Sequence, residues 1–141
     1  MKDKRYALAA TLVGFCMIAE IVFAHHGFAG RYDEENPISI EGTVVELRFI
    51  NPHAAIIFQV RDTDGKVVRW NGILGSATSL KRTEGWTKDT LRPGDRITIL
   101  GARAIAGATD MLLSNESRIT MTDSGEEIKN SLGTGIGQRG F

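Results

Sequence analysis

The sequence predicts a mainly β domain: a small five-stranded barrel of the OB type with one short helix between strands 3 and 4. Three observations support this class. Apolar and polar residues alternate along most of five short segments, with the period of a half-buried strand. The first segment changes its apolar phase midway, as a strand does when it bends to serve two sheets. A short stretch with helix-capping residues separates the third segment from the fourth. A β-meander with a helical plug is the alternative.

The first 24 residues are predicted to be a signal peptide that precedes the fold, as an N-terminal signal helix. A charged start, Lys2 to Arg5, is followed by an apolar run from Tyr6 to Ala24 that ends in small and branched residues. Glu20 interrupts this run and leaves roughly 14 apolar residues, fewer than the ~20 that a spanning helix needs. We therefore expect a periplasmic or secreted bacterial protein. A retained membrane anchor is the alternative, and only then would the membrane be a partner.

The charge balance of the chain argues against nucleic acid as a partner. The whole chain has 17 basic and 17 acidic residues, and the predicted signal peptide contains three basic and two acidic ones. The mature part would then have 14 basic and 15 acidic residues, which creates no field that attracts a polyanion. Cys16, the single cysteine, lies in the signal peptide. The mature protein can therefore form no disulfide within its own chain.

The mature chain is predicted to begin with an N-terminal arm, residues 25–37, followed by the barrel domain, residues 38–123. The apolar residues of the first strand fall at even positions and then at odd positions: Ile38, Ile40 and Val44, then Val45, Leu47 and Phe49. Because a strand cannot change faces without an extra residue, we expect a β-bulge or sharp bend just after Gly42.

The other elements follow in order. The predicted strands 2 to 5 are Ala54 to Val60, Val68 to Leu74, Arg96 to Ala104 and Leu112 to Met121. The helix is predicted over Ser76 to Glu84, with Ser76 or Thr78 as its N-cap and Gly85 as its end. Pro93-Gly94 predicts a type II turn before strand 4. The tail, residues 124–141, is rich in glycine and polar residues and is predicted to be flexible.

The three histidines are the candidate metal ligands. His25 and His26 would begin the mature protein, and His53 follows Asn51-Pro52, which is predicted to be a structural turn between strands 1 and 2. An N-terminal histidine offers its α-amino group and its Nδ1 atom together. One more imidazole, from His53 or His26, would complete a three-nitrogen site that favours copper. Asp33 and Glu34 are candidate weak oxygen ligands. The alternative is that two histidines lie on a floppy arm and the third caps a turn.

Several short segments together resemble a family of small secreted bacterial proteins that form a domain of unknown function. These segments are His25-His26-Gly27-Phe28-Ala29, Gly42-Thr43-Val44, Asn51-Pro52-His53, Trp70, Gly75-Ser76, Gly85-Trp86 and Pro93-Gly94-Asp95. The chain departs from the family pattern at Gly27, where serine is usual, and at Phe49, where tryptophan is common. The resemblance implies export and an OB-like fold, and it implies that His25, His26, Asn51 and His53 belong to a recurring pattern.

These observations lead to one main hypothesis and two alternatives. The main hypothesis is a periplasmic or secreted binding protein for copper, held by His25, His26 and His53. The first alternative is a non-metal binding or adaptor module of the OB type that binds a periplasmic partner. The second is a copper oxidase. No catalytic residues are assigned, because no nucleophile–base set and no paired carboxylates stand at a suitable spacing.

Overall fold

The computed structural model describes residues 30–114 and 116–128. The predicted signal peptide, His25 and His26 lie outside the described residues, as do residues 129–141 of the tail. Seven strands and one helix occur in the described part: β1 (Tyr32–Arg48), β2 (Ala55–Arg61), β3 (Val67–Ile73), α1 (Ala77–Glu84), β4 (Arg96–Ala104), β5 (Asp110–Leu112), β6 (Arg118–Met121) and β7 (Glu127–Ile128). No helix within these residues is long and apolar enough to span a bilayer.

Five of the strands close into a barrel. They follow the order β1-β2-β3-β5-β4, and β4 pairs again with β1. The pairing of β3 with β5 is parallel, and the other pairings are antiparallel. The helix α1 connects β3 to β4. The predicted fold class, an OB-like five-stranded barrel with one helix between strands 3 and 4, is therefore confirmed.

The bend in β1 lies where the apolar phase changes. Residues 38–43 pair with β4, and residues 43–48 pair with β2. The register with β2 shifts between Val44 and Glu46, so Val45 is the extra residue of a β-bulge. At Gly42 a Cβ atom would lie 2.7 Å from the Phe58 Cδ2 atom and 2.7 Å from the Gln59 carbonyl oxygen. Glycine is required there because the two strands approach too closely for any side chain.

Strand β1 begins at Tyr32 rather than at Ile38. Its register with β4 shifts between Asp33 and Ile38, so the polar residues between them form an irregular part of the strand. The Asp33 Oδ1 atom accepts hydrogen bonds from the Asn36 backbone N–H and Nδ2, both at 3.1 Å. This local turn lets a segment without apolar alternation join the sheet, which periodicity alone could not indicate.

The predicted fifth strand, Leu112 to Met121, is interrupted. It occurs as β5 and β6, which pair with different parts of β4: Leu112 lies opposite Ala102, and Arg118 lies opposite Leu100. Between them the Ser117 N–H donates to the Ser114 carbonyl at 3.1 Å. The polar run from Ser114 to Ser117 is a turn signal that breaks the alternation. Strand β7 lies inside the predicted tail and pairs with β6.

The helix α1 begins and ends as its capping residues predict. The Ser76 side chain accepts a hydrogen bond from the Ser79 N–H at 3.1 Å, and Gly85 ends the helix at a φ of 71°. Trp86 then turns back and is 2% exposed. The core that α1 helps to fill is apolar: Val44, Ala54, Ile56, Phe58, Trp70, Leu74, Leu80, Trp86, Leu91, Ile97, Ile99, Met111, Leu113 and Ile119.

Candidate functional site

The β1–β2 turn, residues 49–54, is hydrogen-bonded to the start of α1. The Asn51 Nδ2 atom donates to the Thr78 Oγ1 atom at 3.0 Å, and the Asn51 Oδ1 atom accepts from the Thr78 N–H at 3.2 Å. The Ala77 N–H donates to the Ile50 carbonyl at 3.3 Å. These bonds occupy donors that a helix leaves unsatisfied at its N-terminus. Two segments 27 residues apart in the sequence therefore form one unit, which we call the helix end of the barrel.

His53 lies in this turn, next to a backbone segment that hydrogen bonds hold in place. The residue is half-buried, and its Nδ1 atom is shielded from solvent. The next residue, Ala54, is fixed by two hydrogen bonds: its N–H donates to the Gly75 carbonyl at 2.9 Å, and its carbonyl accepts from the Leu74 N–H at 2.9 Å. The peptide bond between Asn51 and Pro52 is cis. Asn51 and Pro52 lie between the end of β1 and the start of β2.

The other candidate ligands are not close to His53 in the described residues. Asp33 and Glu34 lie near the start of β1, whereas His53 follows the end of that strand. The Asp33 carboxylate accepts hydrogen bonds from Asn36, and Glu34 is exposed. Within residues 30–114 and 116–128, no three His, Cys, Asp or Glu side chains form a group that could hold a metal ion. The three-nitrogen site depends on His25 and His26 and stays a prediction.

The opposite end of the barrel, which we call the loop end, carries the β2–β3 turn (62–66) and the β4–β5 loop (105–109). Here Trp70 belongs to the core, as its strand position predicts: it is 9% exposed and stacks on Phe58, with ring centroids 6.3 Å apart. The Arg103 guanidinium lies over the Trp70 ring, 5.6 Å from its centroid. The sequence interpretation missed Arg103. The sequence feature that could have identified it is a charged residue near the end of β4, at a position in phase with buried Ile97, Ile99 and Gly101.

The carboxylates beside Arg103 are engaged elsewhere. Asp33 is the cross-strand partner of Arg103, but its carboxylate is bound by Asn36. Asp110, at the start of β5, accepts a hydrogen bond from the Asn71 Nδ2 atom at 3.3 Å. Arg48, Lys88 and Arg96 form ion pairs with other acids. The Arg103 guanidinium is therefore exposed to solvent on one side and lies against the Trp70 ring on the other.

Tyr32 lies at the same end, opposite Ala104 in β4. Burial of its phenol raises its pKa above the usual value, and the negative charge of Asp110 raises the pKa further. Tyr32 belongs to a second apolar cluster with Ala102 and Leu112. The loop end therefore combines a small apolar cluster, two hydrogen-bonded carboxylates and the exposed guanidinium of Arg103.

The large apolar side chains that are exposed in the described residues are few, and all lie on elements that bind ligands in OB barrels. Ile50 is 58% exposed in the β1–β2 turn, Val67 is 46% exposed at the start of β3, and Ile105 is 64% exposed in the β4–β5 loop. OB barrels bind ligands across the strand 2–3 face and through the loops that follow strands 1 and 4. A single exposed aliphatic residue is ordinary, but this distribution follows the binding elements of the fold.

Comparison with known proteins gives one result. The model of a family of unknown function, DUF6152, matches residues 14–113. The match extends from the predicted signal peptide through β5. No curated protein and no solved structure matches the chain.

Proposed function

The chain belongs to that family of unknown function, and we propose that it is an exported binding module that holds a peptide segment of a periplasmic partner. The bound segment lies on the binding face, which we define as the exposed face of β2 and β3 with the β1–β2 turn and the β4–β5 loop. The observation that carries the proposal is the position of the three exposed aliphatic residues, Ile50, Val67 and Ile105, on these elements.

The composition of the interior supports a role at the surface. Among the described residues, Ser117 is the one polar residue that is buried. The buried side chains of the described core are almost all apolar, whereas a pocket for a small ligand normally needs several polar groups. This composition supports a ligand site on the outer surface.

The exposed face of β2 and β3 has polar as well as apolar residues. Gln59 lies opposite Arg69, and Arg61 lies opposite Val67, so these four side chains share the outer face of the sheet. All four are exposed. Apolar contacts flanked by polar and charged groups are typical of protein interfaces.

The exposed apolar residues favour a peptide over a glycan. Sugar rings stack on exposed aromatic side chains, but both tryptophans of the described residues are buried, at 9% and 2% exposure. Aliphatic side chains such as Val67 and Ile105 fit the apolar side chains of a peptide instead.

Site-specific crosslinking in cells tests this function. A photoreactive amino acid placed at Val67 or Ile105 is expected to give a crosslinked product of one defined mass. The matched control is Arg118, which is exposed on β6 away from the binding face. Equal crosslinking at position 118, or no product at 67 and 105, contradicts the proposal. Retention of the product in a variant with His25, His26 and His53 all changed to Ala is expected if metal plays no part.

A copper site is the second candidate, and one observation favours it. His53 sits in a turn fixed to α1, on one of the loops that OB barrels use for binding. His25 would then supply its α-amino group and Nδ1, and His53 or His26 would supply the third nitrogen. Neutral imidazoles bind the ion, so the affinity for copper falls at acidic pH.

The copper hypothesis needs His25 as the first residue of the exported protein. Intact mass of the exported protein decides this. If the protein begins at His25, copper(II) should give a three-nitrogen electron paramagnetic resonance signature that is lost in His25→Ala. A first residue at Gly30, or an unchanged signature in His25→Ala, contradicts the copper site.

A further inference from the structure

We propose that Arg103, held over Trp70 at the loop end, binds a carboxylate of the peptide that occupies the binding face. The inference rests on the proposed function and adds the chemistry of recognition to it. The carboxylate comes from an acidic side chain or from the C-terminus of the peptide. These two sources share one chemistry, and the experiment below separates them.

The position of Arg103 is the first argument. It is the next-to-last residue of β4 and stands in phase with the buried residues of that strand, so it lies at the rim of the barrel. There its guanidinium contacts the Trp70 ring. A cation over an aromatic ring gains electrostatic attraction. The ring offers no carbonyl or carboxylate oxygen to the five N–H donors of the guanidinium.

The second argument concerns the acids that could neutralise Arg103. Asp33 lies directly opposite it in the β1–β4 pairing, yet the Asp33 carboxylate accepts hydrogen bonds at 3.1 Å from the backbone and side chain of Asn36. Asp110 is bound by Asn71. The two acids on the neighbouring strands are therefore each engaged by an asparagine. Arg103 is left exposed and immobilised against a ring, which lowers the entropy cost of binding an external anion.

The third argument selects a peptide carboxylate over a polyanion. The chain has no net charge, so it has little long-range attraction for nucleic acid or for an anionic membrane. Ile105, the most exposed of the three aliphatic residues, follows Arg103 by two residues. An apolar side chain beside one guanidinium fits a peptide that carries an apolar residue next to a carboxylate.

The experiment measures binding of short peptides to the purified exported protein by nuclear magnetic resonance. The probes are acetyl-Leu-Leu-Glu-amide, its glutamine counterpart acetyl-Leu-Leu-Gln-amide, and acetyl-Leu-Leu-Leu with a free C-terminal carboxylate. The signal is the indole N–H of Trp70, and the indole N–H of buried Trp86 at the helix end is the internal control. A carboxylate probe is expected to shift the Trp70 signal in a saturable manner and to leave the Trp86 signal unchanged.

The substitutions then identify the charged group. Arg103→Gln is expected to lower the affinity for the carboxylate probes by about tenfold, since a hydrogen bond to a charged group contributes about 1.5 kcal/mol or more. Arg103→Lys keeps the positive charge but removes the planar set of guanidinium N–H donors. We expect it to lose less affinity for the carboxylate probes than Arg103→Gln does. Arg118→Gln, at an exposed arginine on β6, should bind as the wild type does. The carboxylate probe with the higher affinity shows whether the bound carboxylate comes from an acidic side chain or from the C-terminus.

A variant at Asn36 provides an independent test. Asn36→Ala removes the side-chain amide that holds the Asp33 carboxylate and leaves the backbone N–H in place, so Asp33 is freer to pair with Arg103 and compete with the peptide. Its affinity for the carboxylate probes is expected to fall, although Arg103 itself is intact. Affinity restored by the double variant Asp33→Asn with Asn36→Ala would support the mechanism.

Two results overturn the inference. One is that neither carboxylate probe binds the wild type more tightly than the glutamine probe does. The other is equal affinity of the wild type and Arg103→Gln for the carboxylate probes. If either occurs while crosslinking at Val67 and Ile105 succeeds, the binding function stands and the carboxylate assignment fails. If crosslinking fails while the Trp70 shift depends on Arg103, the carboxylate site stands and the proposed function fails.

Discussion

The two ends of the barrel are closed by different kinds of interaction. At the helix end, Leu80, Trp86 and Leu91 are each at most 2% exposed, and the β1–β2 turn is joined to α1 through Asn51 and Thr78. At the loop end, the exposed Arg103 guanidinium lies over the ring of Trp70. Burial contributes far more to stability than an exposed cation–π contact does. The contacts at the helix end therefore contribute more to stability, whereas the Arg103 guanidinium at the loop end is available for recognition.

The largest expected effect is at the helix end. Leu80→Ala removes a side chain that is 0% exposed in the core, and we expect it to lower the free energy of unfolding by about 2–5 kcal/mol. Urea denaturation measures the change. Lys81→Ala, at the exposed neighbour, is the control and should change the free energy by less than about 0.5 kcal/mol. Similar losses for the two variants would contradict the role assigned to this end.

Asn51→Ala tests the polar part of the same end. The Thr78 N–H loses its side-chain acceptor, as when an N-cap residue is lost, and the expected cost is about 1 kcal/mol in urea denaturation. Asn51→Asp keeps an acceptor and places a negative charge at a helix N-terminus, so it should recover much of this loss. If Asn51→Ala and Asn51→Asp have equal stability, the hydrogen bond from the Thr78 N–H does not contribute to stability.

Arg103→Gln should have a small effect on stability. An exposed cation–π contact contributes about 0.5–1 kcal/mol, so the unfolding midpoint should move far less than for Leu80→Ala. Peptide binding should nevertheless weaken. A loss of stability close to that of Leu80→Ala would show that Arg103 is structural and that the two ends do not differ in the way described.

The smallest expected effect is a pH dependence at the loop end. Burial and the charge of Asp110 raise the pKa of Tyr32 in the folded state. The unfolded chain then loses the phenol proton first, so the contribution of Tyr32 to stability is constant below about pH 10 and is lost as pH rises through the folded pKa. Denaturation at increasing pH measures the fall, which Tyr32→Phe should remove. In Asp110→Asn the tyrosinate absorbance should appear at lower pH than in the wild type.

The features that the sequence predicted correctly are those with a local cause. The phase change after Gly42 predicted the bulge at Val45, Ser76 and Gly85 predicted the ends of α1, and Pro93-Gly94 predicted a turn at which Gly94 has a φ of 97°. Each depends on neighbouring residues alone. The order of these elements was sufficient to indicate an OB-like barrel.

The features that the sequence did not predict depend on residues distant in the chain. The bonds between Asn51 and Thr78 span 27 residues, and no periodicity connects those positions. The contact of Arg103 with Trp70 depends on barrel closure through β5. The interruption of the fifth strand did have a local signal, the polar run that begins at Ser114, but the apolar residues on either side concealed it.

The double pairing of β1 has a consequence for how the chain folds. The ion pair between Glu41 and Arg96 joins residues 55 positions apart, and β1 cannot pair along its first half until β4 has emerged. Contacts between residues so far apart slow folding, because the entropy of the intervening chain is lost before the contact can stabilise the fold. A chain shortened before Arg96 leaves that edge of β1 without a partner. The barrel can therefore close only after most of the chain has been synthesised.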